Sequence, residues 1–146
     1  MKNVKKIIEL LGGDAFQHIT IKHDSPSMMR LAIERIGTFG PNNLPLFSVA
    51  HYYEQNGDLM ADPEMTFVQD VLGKWHPISF RNDGVGCYQE GEAGAMGFNE
   101  DGKAWTRPRL IRDLRAFSNQ WDRNLKEQGY IAAAKKLANT KAIIGG

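Results

Sequence analysis

The stretch LFSVAHYYEQNGDLMADPEMTF, residues 46–67, decides the fold. Apolar and polar residues alternate on either side of Asn56-Gly57, the pattern of two strands joined by a tight turn. Phe47, Val49, His51 and Tyr53 share one face of the first strand; Leu59, Ala61, Pro63, Met65 and Phe67 share one face of the second. Both sets are odd-numbered, so they lie on one side of a hairpin only if paired residue numbers sum to an even value. A two-residue Asn56-Gly57 turn gives odd sums and would set Asp62 and Glu64 beside Val49. A three-residue loop, Gln55-Asn56-Gly57, with Gly57 left-handed in a bulge, restores the match and is the expectation. In that register His51 points inward, while Tyr52, Glu54, Asp58, Asp62 and Glu64 point outward. Pro63 lacks an N–H and suits an edge or a bulge, so the second strand is expected to border the sheet.

Working outward, KWHPISF (74–80), the turn RNDG and VGCYQE form a second hairpin, with Asp83-Gly84 as its turn signal. GEAGAMGFNEDGKAW (91–105) is glycine-rich and carries another Asp-Gly, which makes it a mobile loop or a small extra hairpin. Upstream, AFQHITIKH (15–23) alternates as a strand. DSPSMMRLAIERIG (24–37) fits a helix capped by Ser25, or a strand with Met29, Leu31 and Ile33 on one side. The need for a neighbouring β partner favours the strand, and TFGPNNLP (38–45) then reads as a loop. At the start, Val4, Ile7, Ile8 and Leu11 recur at helical spacing before Gly12-Gly13. Near the end, Leu110, Leu114, Phe117, Trp121 and Leu125 form an apolar stripe between Pro108 and Gly129. The expected fold is α+β: an antiparallel sheet of about five or six strands, with a short N-terminal helix and a long C-terminal helix packed on one face. Residues 1–130 form a single domain, and 131–146 a short helical or frayed tail.

The 146 residues suit one domain, and 42% apolar and 24% charged residues are ordinary for a globular chain. With 18 Lys plus Arg against 17 Asp plus Glu, electrostatic function must come from local clusters. Cys87 is the only cysteine, which excludes an internal disulfide and a multi-cysteine zinc site. No stretch approaches the roughly 20 apolar residues that span a bilayer. These features point to a soluble cytoplasmic protein with no membrane partner.

The runs SVAHYYEQNGDLMADPEM, HPISFRNDGVGCYQE and RPRLIRDLRAFSNQWDRNLKEQGY resemble a family of small uncharacterised proteins, a domain of unknown function, encoded on plasmids, conjugative elements and phages. The likeness spans roughly residues 16 to 130. It implies a mobile-element context in a bacterial cytoplasm, and it supplies no catalytic residues.

Motifs for phosphate loops, zinc proteases and serine hydrolases are missing from the sequence. Asp58, Asp62 and Glu64 are candidate oxygen ligands for a hard cation, but an acidic strand face that discourages edge pairing explains them more simply. No metal or cofactor is therefore expected. His51 reads as a core histidine rather than a general base, His76 as packed beside Trp75, and Cys87 as a small strand residue. Arg109, Arg112, Arg115, Arg123 and Lys126 fall largely opposite the apolar stripe, with Asp113 and Asp122 as counter-charges, and Trp105 and Tyr130 near the two ends of the cluster are candidates to stack on bases. The reading that follows is a non-catalytic binding module that meets a protein partner through Tyr52, Glu54, Asp58, Asp62 and Glu64. Alternatives are nucleic-acid binding through the basic helix face and a metal-dependent hydrolase built on the hairpin carboxylates.

Overall fold

The opening stretch lies at the centre of the sheet. The structure, a computed structural model, describes residues 1–145. Within them α1 (Lys2–Leu11) is followed by β1 (His18–Ile21), β2 (Arg30–Phe39), β3 (Leu44–Gln55), β4 (Asp58–Gln69), β5 (Trp75–Asn82) and β6 (Cys87–Gln89). A small hairpin, β7 (Met96–Phe98) and β8 (Ala104–Thr106), precedes α2 (Pro108–Glu127) and α3 (Tyr130–Gly145). The six strands pair in chain order, all antiparallel, and β7–β8 stands apart as a two-stranded ribbon. The α+β fold is the one expected. The contested 24–37 stretch supplies a strand, and β2 runs on to Phe39, so that only four residues remain for its turn.

Three expectations for the central hairpin are corrected. The turn has two residues, Asn56 and Gly57, both at positive φ (52° and 85°), with Gln55 paired to Asp58. The even register arises further along, where Ala50 pairs with Glu64 but Tyr52 pairs with Ala61. The extra residue therefore sits in β4, where Asp62 and Pro63, joined by a cis peptide bond, face His51 alone. That bulge accommodates a proline without an N–H inside the sheet. β4 is accordingly an interior strand, not a border. Because β3 has no extra residue, Phe47, Val49 and His51 keep one face. In β4 the facing reverses at the bulge: Met65 and Phe67 are buried with them, whereas Leu59 follows Glu54 and is 53% exposed.

Helices cover one face. Val4, Ile7 and Ile8 of α1, Leu114, Trp121 and Leu125 of α2, and Tyr130, Ile131 and Ala134 of α3 pack with Ile19, Ile21, Leu31, Ile33, Phe47, Val49, Met65 and Phe67. Rings stack through this core, Phe47 lying 4.6 Å from Trp75 at 10° and 5.8 Å from Phe16 at 16°. Asp122, taken from the sequence as a surface counter-charge, is 5% exposed and joins α2 to α1. Its carboxylate accepts the backbone N–H of Asn3 and of Val4, both at 3.0 Å, and satisfies two orphan donors at the start of α1. Among the described residues no helix is long and apolar enough to cross a membrane.

Candidate functional site

Register places the second face of the sheet, away from the helices, under a polar array. Glu34, Ser48, Thr66 and Ser79 lie in one cross-strand row, and Ala32, Ala50, Glu64, Arg81 and Tyr88 in the next. Paired residues share a face. Ser48 Oγ donates to Glu64 Oε1 at 3.1 Å. Arg81 grips Asp83 at 2.7 Å, and Asp83 in turn accepts the Ala61 N–H at 2.8 Å. The Arg81 hydrogen bond, with that N–H, holds the Asp83 carboxyl below the usual carboxylate range. Beside them the Tyr52 phenol is pushed up to about 12, first by burial and then by the negative charges of Glu64 and Glu34.

Over the far end of this face reaches the β7–β8 ribbon. Its root is pinned to β5, where Ala95 N–H donates to Ile78 O at 2.9 Å, and the Arg107 guanidinium donates to Gly94 O. Its other end touches the β2–β3 turn, where the Phe98 ring packs on Phe39 at 5.3 Å and lies flush against Gly40, leaving no room for a Cβ there. Trp105 lies against Gly97 on one side, and the Arg107 guanidinium sits 4.5 Å from its ring. Between ribbon and sheet is a cleft of about 1060 Å³. Phe39, Phe98 and Trp105 give it aromatic walls, Thr66 and Ser79 a hydroxyl floor, and Glu90, Glu92 and Glu100 carboxylates against Arg107, the single cation among its described lining residues. All three of these glutamates are exposed.

The five hairpin residues chosen from sequence do not form one patch. Tyr52 and Glu64 belong to the open face and continue it from the cleft. Glu54 and Asp58 are exposed at the tip, but their ladder partners put them on opposite sides. Asp62 lies in the bulge, where Asn82 Nδ2 donates to its Oδ1 at 2.7 Å. Of the carboxylates suggested as hydrolase ligands, Glu64 bonds Ser48, Asp62 bonds Asn82 and Asp58 is exposed at the tip; among the described residues no three His, Cys, Asp or Glu side chains gather into a metal-holding group. His51 is a core residue: its Nδ1–H donates to Arg30 O at 3.2 Å, and its ring packs on Trp121 and Tyr130 at 5.4 and 5.2 Å. Burial pushes its pKa down, partly offset by that carbonyl and by Asp62. Cys87 is half-buried and free in the edge strand.

Arg109, Arg112, Arg115, Arg123 and Lys126 are all exposed on α2. Among the described residues, the ion pairs Arg81–Asp83 and Lys136–Asp24 and the histidine–carboxylate contacts His18–Glu34 and His76–Asp70 include none of them. The two aromatic residues suggested as stacking platforms go elsewhere. Trp105 lines the cleft, and Tyr130 is buried with its hydroxyl donating to Met29 O at 2.6 Å. Sequence reasoning missed the cleft glutamates and Phe98, although the Asp101-Gly102 turn signal and the aromatics beside it marked a hairpin worth placing.

Fold and site together define an α+β domain with an antiparallel meander, helices on one face and an open, partly roofed second face. The chain belongs to the family described as Domain of unknown function (DUF6908), which matches residues 2–131 and so takes in α1 as well as the motif-bearing strands and α2. No curated protein and no solved structure matches the chain.

Proposed function

We propose that this domain is a protein-binding module, and that its recognition surface is the open sheet face centred on the cleft beneath the β7–β8 ribbon. The observation that carries this reading is the cleft itself, about 1060 Å³ with three aromatic walls and three exposed glutamates. Aromatic walls take apolar side chains from a partner, and unpaired carboxylates select for cations. The partner class is therefore an extended segment that alternates basic and apolar residues. Tyr52 and Glu64 lengthen the same face, whereas Glu54, Asp58 and Asp62 are peripheral to it. The setting suggested by the sequence resemblance, a bacterial cytoplasm and an accessory gene on a plasmid, conjugative element or phage, belongs to the same proposal.

Fluorescence anisotropy with labelled Lys/Arg-rich peptides carrying aliphatic residues tests it. We expect saturable binding that weakens by at least about tenfold in Trp105→Ala and in Glu92→Gln/Glu100→Gln, since hot-spot aromatics and desolvated charges carry such energies. Acidic peptides should not bind. A basic-peptide library that fails to bind, or binding indifferent to those substitutions, overturns the reading.

A further inference from the structure

The helical face carries a feature unrelated to the cleft. Two adjoining concavities, of about 610 and 300 Å³, run along the seam between α1 and α2. Lys2, Arg123 and Lys126 line the first, Lys5, Lys74 and Arg115 line the second, and Asn119 lines both. Three separate pieces of the chain, α1, the β4–β5 turn and α2, thus deliver cations to one groove. Its carboxylates are Asp122, whose oxygens are committed to the N–H groups of α1, and Glu127 at one end. None of the ion pairs among the described residues involves a seam cation.

Two of the cations are fixed in place. Lys5 Nζ donates to Gly73 O at 2.8 Å and lies 5.9 Å from the Trp75 ring. His76 donates from Nε2 to Asp70 at 2.8 Å, which leaves Nδ1 to accept from Arg115 Nη2 at 3.2 Å. On α2 the spacing 112, 115, 119, 123, 126 keeps Arg112 close to the same row, and at 1.5 Å per residue that row is about 21 Å long.

We infer that this seam binds the phosphate backbone of duplex DNA. A cationic row of that length spans about six phosphates of one strand, which presents one charge per about 3.4 Å of duplex axis. The aromatic residues of the groove, Phe67 and Trp75, are 1% and 8% exposed, so the seam presents charge and amides, not a stacking platform for unpaired bases. Recognition of this kind reads the backbone and is indifferent to sequence.

The test is anisotropy of a labelled mixed-sequence duplex of about 20 base pairs, and of its single strand, titrated with the full chain over a range of salt. The expected log–log slope of affinity against salt is about −4, from four or five neutralised phosphates. Arg115→Ala/Arg123→Ala should reduce that slope by about 2 and the affinity at least tenfold, while Lys103→Ala on the ribbon turn changes neither. Both arginines are exposed, and unchanged thermal melts of the double variant exclude misfolding as the cause. No duplex binding at low salt, an unaltered slope in the double variant, or tighter binding of the single strand each overturns the inference.

Discussion

His51 is a titratable ring enclosed by Trp121 and Tyr130, and its neutral form is the one the fold accommodates. Its folded pKa lies below the ordinary value of 6.5, chiefly through burial. In the unfolded chain the ring takes up a proton at the ordinary value, so its contribution to stability is present above about pH 6.5 and is lost as pH falls through the lower folded value. We expect the melting temperature to drop between about pH 7 and pH 5, and the drop to be smaller in His51→Phe. At neutral pH that variant should cost about 2 kcal/mol, because the Arg30 carbonyl loses its donor. The inward orientation was legible in the sequence because β3 alternates without interruption. The reversal of Leu59 was not, since parity requires an extra residue somewhere in the hairpin and does not say where.

At the level of elements, the Asn56-Gly57 turn and the Asp122 cap make separable predictions. A Cβ on Gly57 would meet nothing within 4 Å, yet its φ of 85° disfavours any L side chain. Gly57→Ala should therefore destabilise by about 1 kcal/mol through backbone conformation alone, measured by urea denaturation with unchanged m-value. Asp122→Ala removes the acceptor for two N–H groups of α1 and a negative charge from its positive end, and should cost about 2 kcal/mol. Asp122→Asn, which keeps an acceptor oxygen, should cost less. The helix containing Asp122 was plain from its stripe and its Pro108 start. The cap was invisible, because its partners are backbone donors 118 and 119 residues away and no side-chain pattern announces them.

For the whole molecule, the cleft and the seam lie on opposite sides of one sheet and share no lining residue. Saturation with a basic peptide should leave duplex affinity within about twofold, a coupling free energy near zero, once free peptide is kept from competing for the duplex by immobilising it. Large coupling would place both ligands on one surface. The architecture was readable in advance because hairpins and amphipathic helices are written in local periodicity. The cleft was not, because Phe39, Thr66, Ser79 and Trp105 come from four separate elements. Carboxylates that are neighbours along the chain, Asp58, Asp62 and Glu64, are instead separated in space by the bulge.

Strand order that follows chain order has a kinetic corollary. Each strand finds its partner across a short connection, so the sheet can zip up quickly from local encounters. The closure that joins the two ends of the chain is α1 docking on α2 and α3, fastened to α2 at its start by Asp122. Loss of that carboxylate should accelerate unfolding far more than it slows refolding, in stopped-flow chevrons of Asp122→Ala. The lifetime of the native state would then be set at this latch rather than in the strands.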